Sequence, residues 1–400
     1  MSKRGNLTNT VEKHYSALQS KFHTLSAQTI TGGCVDFLKE QANSLDLPVV
    51  VFEFAPQKPI VVITWEGSQP DLPAILLNSH MDVVPVYEEH WTYPPFEAVL
   101  TDDGWIYARG SQDMKSVGMI HLEAIRRLKN TGVVLKRTVH ASFVPDEEIG
   151  SDEGMNLFSQ SEEFKKLNIG FTLDESYPSM DDVLVAYHGE RTCRQIQVTC
   201  RGTPSHASLL LPEKTAGEKL YYMIDKLMKL RETEKKKVTS LEKMGSVTTI
   251  NLTVIEGGVQ VNVLPEELSA SFDVRIAPDV DHDEFDKMIQ SWCDEAGEGV
   301  SFKYYTKNPR IAPTKVDDSA VFFTAIKQSL DKMDVKLSCS ICPGTTDARF
   351  VRKQGIPAIN LTPINNTPML LHAHDERIHV DRYREGIHVM ENILEAVANA

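Results

Sequence analysis

Residues Leu76–Asp82 read Leu-Leu-Asn-Ser-His-Met-Asp, an apolar run that ends on a histidine and an aspartate. In an extended chain, residues two apart point the same way, so His80 and Asp82 share a face. An imidazole can bind a divalent metal through one ring nitrogen while the other donates to a carboxylate. The pair therefore predicts a metal ligand with its orienting carboxylate, although a strand end followed by a polar turn has the same pattern.

Strands and helices alternate on both sides of this segment. The predicted elements are strands at 49–54, 60–65, 138–144, 170–173 and 358–361, and helices at 11–25, 34–45, 114–128, 154–167 and 319–333. This alternation is typical of an α/β domain with a mostly parallel central sheet, in which ligands bind at the carboxyl ends of the strands. Residues 85–107 lack a clear period and predict a long surface loop.

The pattern changes near residue 191. From there to residue 307 the predicted order is β-α-β-β-α-β, which is typical of a ferredoxin-like α+β module. A chain of 400 residues exceeds the size at which one core usually stops growing. We therefore predict a split catalytic domain at 1–190 and 308–400, with residues 191–307 as an inserted domain.

The charge balance is acidic, with 42 Lys and Arg against 56 Asp and Glu. This argues against nucleic-acid binding, which normally needs a basic face. The sequence shows no signal-peptide pattern and no apolar run long enough to cross a bilayer, so we expect a cytoplasmic protein without a membrane partner. Its six cysteines are then expected to be reduced, and the Cys339–Cys342 pair is read as structural rather than as a redox or zinc motif.

Further acidic residues stand where a predicted strand ends or a helix begins: Asp113, Glu147, Glu148 and Glu175. Alone, Asp113 could be a helix cap and the 146–148 run a solvated turn. Gathered at one edge of a sheet, however, these carboxylates would repel one another unless a cation neutralised them. Two-metal centres are established hydrolytic devices, and they use imidazole and carboxylate ligands.

Six segments in a fixed order carry a resemblance to a known family. They are residues 78–86, 107–115, 143–150, 173–175, 202–208 and 367–377. Over nearly the whole chain these segments resemble the zinc-dependent exopeptidase family, which includes the aminoacylases, acetylornithine deacetylase, succinyl-diaminopimelate desuccinylase and carboxypeptidase G2. The fold that the resemblance implies is a zinc-exopeptidase-like catalytic domain with an inserted lid and dimerisation domain.

The resemblance implies a centre of two zinc ions per subunit. His80 and Glu175 would hold one ion. Glu148 and His372 would hold the second ion, and Asp113 would bridge the two ions. Asp82 would orient His80, and Glu147 would be the general base that deprotonates the attacking water. The family's ligand histidine precedes a glutamate by four positions, which selects His372 over His374.

The resemblance also implies residues that contact the substrate. His206 alone would be read as a surface residue, but in this family the equivalent histidine comes from the partner subunit of a homodimer and stabilises the oxyanion. Asn262 and Arg275 would bind the substrate, with Arg275 pairing to its α-carboxylate. Thr346 and Arg349 match the family's substrate loop, although a structural ion pair is an equally open reading of Arg349.

The implied activity is hydrolysis of N-acyl-L-amino acids, with N-acetyl groups and neutral aliphatic side chains expected, to a carboxylate and a free L-amino acid. The residues themselves support a metal-dependent hydrolase, whereas the acyl-amino-acid specificity rests on the resemblance. The alternatives are a dinuclear-zinc dipeptidase and a non-catalytic binding protein on the same scaffold. Gly344-Thr345 stands where the family often has two alanines, which could reshape the side-chain pocket.

Overall fold

The computed structural model describes residues 32–400, so the helix predicted at 11–25 lies outside the described residues. The chain divides into two units. The first unit runs to His188 and includes Thr314–Cys339 and Thr346–Ala400, and the second comprises Gly189–Pro313 and Ser340–Thr345. Residues 189–190, 308–313 and 340–345, which were predicted in the split domain, thus group with the second unit.

Strands and helices alternate through most of the first unit. The strands of the chain are β1 Val49–Glu53, β2 Pro59–Trp65, β3 Ala74–His80, β4 Val99–Leu100, β5 Trp105–Tyr107, β6 Val139–Val144, β7 Ile169–Asp174, β8 Val183–Glu190, β9 Thr192–Arg201, β10 Ser205–His206, β11 Thr249–Gly257, β12 Val263–Leu264, β13 Glu267–Ile276, β14 Val300–Lys307, β15 Lys336–Cys342, β16 Ala358–Asn360 and β17 Arg377–His379. The helices are α1 Gly32–Ser44, α2 Lys115–Asn130, α3 Met155–Gln160, α4 Glu162–Lys166, α5 Ala216–Lys235, α6 His282–Ala296, α7 Val321–Lys332, α8 Ala348–Lys353 and α9 Val380–Asn399.

The first unit is built on an eight-stranded sheet in the order β1-β2-β6-β3-β7-β16-β8-β15. Its four central strands, β6, β3, β7 and β16, are parallel to their neighbours within that group. The outer pairs β1–β2, β2–β6 and β16–β8 are antiparallel. The prediction of a mixed α/β domain with a mostly parallel central sheet is confirmed.

Strand β3 is buried along its whole length because both faces of the sheet are covered. Ile75 and Leu77 face the larger core, which also contains side chains of α1, α2 and α9. Leu76 points to the opposite face and packs in a second core with Phe158 and Phe164. Full burial of each such side chain contributes roughly 1.5–3 kcal/mol, so the strand that carries His80 is held firmly in place.

Two local predictions need correction. The region predicted as a long loop contains β4 and β5, which form a small sheet with β17. The single helix predicted at 154–167 is two short helices, because Ser161 is extended and its hydroxyl accepts the backbone N–H of Phe164 at 3.0 Å, which starts a new helix.

The second unit is an antiparallel sheet in the order β11-β13-β9-β14. Helices α5 and α6 contribute, with the sheet, to one core that includes Ile196, Phe272 and Ile289. The chain order β9-α5-β11-β13-α6-β14 is the β-α-β-β-α-β order that the sequence predicts. Over residues 32–400, no helix combines the length and the apolar character that crossing a membrane requires.

Candidate metal centre

Three adjacent parallel strands end at the same edge of the sheet and deliver acidic and imidazole side chains there. His80 is the last residue of β3. A 3-10 turn over Glu147–Ile149 follows β6, and Glu175 directly follows β7. Because parallel strands place their carboxyl ends together, residues distant in sequence meet at this edge.

The first cluster joins His80, Asp113 and Glu175, which are all buried. Nε2 of His80 lies 3.0 Å from Oδ1 of Asp113 and 3.4 Å from Oε2 of Glu175. On the other side of the ring, Nδ1–H of His80 donates to the backbone carbonyl of Asp82 at 2.9 Å. With Nδ1–H donated to this carbonyl, the neutral form of the ring would direct its Nε2 lone pair at the two carboxylates, which is the arrangement that a metal ligand requires.

The second cluster joins Asp113, Glu148 and His372. Nε2 of His372 lies 3.2 Å from Oδ2 of Asp113 and 3.1 Å from Oε2 of Glu148. The two oxygens of Asp113 thus face different clusters. Helix α2 is preceded by Met114 as its cap residue, so Asp113 is not the helix cap that its position also allowed. The side chain of His372 is 54% exposed whereas that of His80 is fully buried, so the centre is open on its His372 side.

The charges at this edge fit divalent cations. Burial raises the pKa of Glu175 well above its ordinary value despite the opposing charge of His80, and burial raises the pKa of Glu148. Hydrogen bonds to Asp113 and Glu148 raise the pKa of His372 to about 10. Oε1 of Glu148 is buried and has no hydrogen-bond partner. Such an orphaned carboxylate oxygen, in a set of imidazole nitrogens and carboxylates, fits the donor chemistry of a divalent-metal centre.

Asp82 supports both the imidazole and the acidic turn. Its carboxylate Oδ1 is 3.4 Å from Nδ1 of His80, while its backbone carbonyl takes the shorter bond from the ring. The same carboxylate accepts the backbone N–H groups of Glu147 and Glu148 at 3.2 and 3.1 Å. Asp82 therefore positions the turn that follows β6 as well as the ring that ends β3.

Glu147 lies beside the two clusters but belongs to neither. Burial and the charge of Glu175 raise the pKa of Glu147 well above its ordinary value. A carboxylate with a raised pKa that is not itself in a ligand cluster suits proton transfer near neutral pH.

A second layer of buried polar groups lies behind the centre. The Nδ2 group of Asn78 donates to Asp174 at 3.1 Å and to Asp347 at 3.4 Å, and its Oδ1 accepts the hydroxyl of Ser142 at 2.6 Å. Burial and the charge of Asp174 raise the pKa of Asp347 to about 7. This layer fixes the ends of β3 and β7 relative to α8, which Asp347 precedes.

The two residues predicted from the 345–349 loop have structural partners. The hydroxyl of Thr346 is buried and accepts the Nδ2 group of Asn360 at 2.8 Å. Arg349 is partly buried, and its Nη2 donates to the backbone carbonyl of Gly150 at 2.7 Å. Since Gly150 caps the turn that carries Glu147, Arg349 holds the C-terminal end of that turn, whereas Asp82 accepts the N–H groups at its start.

Two of the predicted substrate residues lie together in the second unit. His206 in β10 pairs with Val263 in β12, and the carbonyl of Asn262 accepts the backbone N–H of Ala207 at 2.9 Å. Both His206 and Asn262 are exposed. The backbone N–H of Ser208 donates to Nδ1 of His206 at 3.2 Å, so the proton of the neutral ring is on Nε2.

Arg275, the third predicted substrate residue of this unit, is held by a carboxylate of its own strand. Its Nε and Nη2 groups donate to the two oxygens of Asp273 at 2.9 and 3.1 Å. Asp273 also accepts the side-chain amide of Gln195 at 3.1 Å. Asp273 was not among the predicted residues, although residues two apart in a strand share a face and opposite charges there predict a pair.

Arg109 and Glu376, which were not predicted as site residues either, form a buried ion pair with a 2.7 Å contact. Glu376 served only as a spacing marker for His372. The ring of His374, the alternative ligand, packs against that of His90 in a tilted arrangement with a centroid distance of 5.1 Å, and His374 is in neither cluster.

A mostly parallel sheet whose strand ends carry two carboxylate–imidazole clusters with a shared aspartate has the architecture of a metal-dependent hydrolase. The sequence profile of peptidase family M20/M25/M40 matches residues 76–396, and the chain belongs to this family. Among its relatives is aminoacylase-1 of Mus musculus, which is 46% identical over 372 residues, covering 92% of this chain and 90% of the relative. Aminoacylase-1 of Sus scrofa is 44% identical over 380 residues, covering 95% and 93% of the two chains.

Solved structures share the fold at much lower identity. An M20 family metallo-carboxypeptidase from Sulfolobus solfataricus superposes with a TM-score of 0.73 at 20% identity, covering 97% of this chain and 99% of that chain. The aminopeptidase PepT of Bacillus cereus has a TM-score of 0.73 at 19% identity, with 98% and 99% coverage. These likenesses concern the fold, whereas the aminoacylase-1 relatives are similar along the sequence itself.

Proposed function

We propose that this protein is a zinc-dependent amidohydrolase that cleaves N-acyl-L-amino acids to a carboxylate and a free L-amino acid. The proposal rests mainly on the carboxylate of Asp113, which is shared between the two clusters: its Oδ1 faces the His80 cluster and its Oδ2 faces the His372 cluster. The aminoacylase-1 relatives support the choice of substrate class. N-acetyl groups and neutral aliphatic side chains are the expected substrates.

Two zinc ions per subunit are proposed, with the residues of the two clusters as their ligands. His80 and Glu175 would hold one ion, Glu148 and His372 the other, and Asp113 both. When bound, such a pair supplies Lewis acidity that polarises the acyl carbonyl and lowers the pKa of water.

The residues of the chain supply the proton transfers. Glu147, with its raised pKa, accepts a proton from the attacking water and returns it to the nitrogen of the leaving amine. Asp82 and Arg349 hold the turn on which Glu147 sits, through the N–H of Glu147 and the carbonyl of Gly150. This fixation keeps the carboxylate in one position through both transfers.

His206 is proposed to act on the oxyanion from the partner subunit of a homodimer. Its Nε2 carries the proton and the ring is exposed, so Nε2 is free to donate to an oxygen that gains negative charge. Asn262, next to it, would contact the substrate. The guanidinium of Arg275 would pair with the substrate α-carboxylate while Asp273 fixes its orientation.

A substrate panel tests the proposed activity. We expect kcat/KM for N-acetyl-L-methionine to exceed that for unblocked dipeptides such as Ala-Met by more than about tenfold, because a site for a neutral acyl group would bury the charged α-ammonium of the dipeptide without a partner. Metal analysis of the same preparation is expected to give two zinc ions per chain. Clear preference for dipeptides would instead assign the centre to a dipeptidase.

Mixing two inactive variants tests the shared site. Each proposed site takes Glu147 from one subunit and His206 from the other. A heterodimer of Glu147→Gln and His206→Ala chains therefore contains one site with both residues intact and one site with neither. With free exchange at equal amounts, half of the dimers are heterodimers, and activity should recover to about one quarter of the wild-type value. Verified subunit exchange without recovery would exclude a site built from two chains.

A further inference from the structure

Arg109 and Glu376 join the segment that carries Asp113 to the segment that carries His372. Nη1 of Arg109 lies 2.7 Å from Oε2 of Glu376, and the two side chains are 2% and 0% exposed. The same carboxylate accepts the backbone N–H groups of Gly110, Gln112 and Asp113 at 3.1, 2.6 and 3.2 Å. Glu376 thus organises the turn that leads into the shared aspartate.

The second donor of Arg109 reaches the other segment. Its Nη2 donates to the backbone carbonyl of His372 at 3.2 Å. His372 has a φ of 60°, in the left-handed region that disfavours residues with a Cβ atom. A hydrogen bond to its carbonyl stabilises this conformation, which directs the His372 ring at Asp113 and Glu148.

Gln112 makes a second connection between the same two segments. Its side-chain amide donates to the carbonyls of Pro368 and Arg377 at 2.9 and 2.7 Å, and its Oε1 accepts the backbone N–H of Leu370 at 2.9 Å. The segment with Asp113 is therefore fixed against both ends of the segment with His372.

We infer that Glu376 and Arg109 are positioning residues that set the spacing of Asp113 and His372 and thereby the zinc affinity of the centre. The inference rests on the proposed metal centre and not on the choice of substrate. A neutral amide at position 376 would leave the buried guanidinium of Arg109 without a counter-charge. Its NH2 group would also face the N–H donors that the carboxylate now accepts. Residues that orient metal ligands typically change metal affinity by about 10–100-fold when replaced.

The two residues make different predictions. Glu376→Gln disturbs Asp113, which both clusters share, so both zinc affinities should fall. Arg109→Lys keeps a positive charge near Glu376, but a lysine cannot donate in the fork geometry to Glu376 and to the His372 carbonyl at once. For Arg109→Lys, the loss of zinc affinity should then be confined to the ion that His372 holds.

The test measures zinc binding directly. Chelator-stripped wild type, Glu376→Gln, Arg109→Lys and the control Glu162→Gln are titrated with zinc in competition with a chromophoric chelator, and near-UV circular dichroism verifies folding. The control removes the same charge from a side chain that is 73% exposed. We expect the wild type and the control to bind two zinc ions tightly. Glu376→Gln should bind both ions about 10–100-fold more weakly, and Arg109→Lys should bind one of them more weakly by a similar factor.

Wild-type zinc affinities in the folded Glu376→Gln and Arg109→Lys variants would overturn the inference. If Glu376→Gln does not fold, Arg109→Lys decides: selective weakening of one ion supports it and unchanged affinity refutes it. A wild-type chain that binds no zinc would contradict the proposed centre itself. A wild-type chain that binds two ions but does not hydrolyse N-acyl amino acids would contradict only the proposed substrate.

Discussion

Single residues at the sheet edge act through more than one group. Asp82 offers a carbonyl to the His80 ring and a carboxylate to the N–H groups of Glu147 and Glu148. Hydrogen bonds to charged acceptors contribute about 1.5–3 kcal/mol each, so these two bonds stabilise the position of the turn. The proposed base and the ligand next to it therefore depend on an aspartate from another strand end.

Arg349 can be assigned by kinetics. Because its Nη2 donates to the Gly150 carbonyl, we expect Arg349→Met to lower kcat for N-acetyl-L-methionine by roughly tenfold while KM changes little, as for a group that positions the base. Lys353→Met, an exposed position on the same helix, serves as the control. A rise in KM with unchanged kcat would support the substrate-binding role that the family resemblance implies.

Helix α2 carries a histidine that the proposed chemistry does not use. His121 is 1% exposed, and neither ring nitrogen has a hydrogen-bond partner. Burial lowers the pKa of His121 from 6.5 to about 3. Since the folded-state pKa lies below the unfolded value, the unfolded chain binds more protons between these values, and stability falls as the pH drops below about 6.5.

Replacing His121 should therefore weaken the pH dependence of stability. At pH 5 the histidine costs about 2 kcal/mol relative to neutral pH, from the linkage between protonation and folding. We expect the stability of His121→Leu to fall by about 2 kcal/mol less than that of wild type between pH 7.5 and pH 5, measured by urea unfolding. His388→Leu, a mostly exposed control, should follow the wild type. An equal loss in His121→Leu and wild type would show that His121 does not contribute.

For the whole molecule, the site residues that could be predicted are those marked by a short local sequence pattern. His80 ends an apolar strand and Glu148 and Glu175 follow one, and a parallel sheet necessarily collects such residues at one edge. The ion pair of Arg109 and Glu376 was not predictable, because its partners lie 267 positions apart and no periodicity links them.

The same distinction applies to the fold. The α/β alternation and the β-α-β-β-α-β order of the second unit follow from local hydrophobic periods. The break at Ser161 and the small sheet of β4, β5 and β17 depend on a side-chain cap and on pairing with a strand far along the chain. The hydrophobic periodicity of the sequence indicates neither a side-chain cap nor a long-range strand pairing.

The most direct test of the account is Glu147→Gln, measured for zinc content and for turnover of N-acetyl-L-methionine. Glu147 stands outside both ligand clusters, so the variant should retain the zinc content of the wild type while kcat falls by about 10²–10⁴-fold, as expected for loss of a general base. Glu153→Gln, at an exposed position nearby, should remain active. A Glu147→Gln enzyme with full zinc content and turnover within threefold of the wild type would contradict the account.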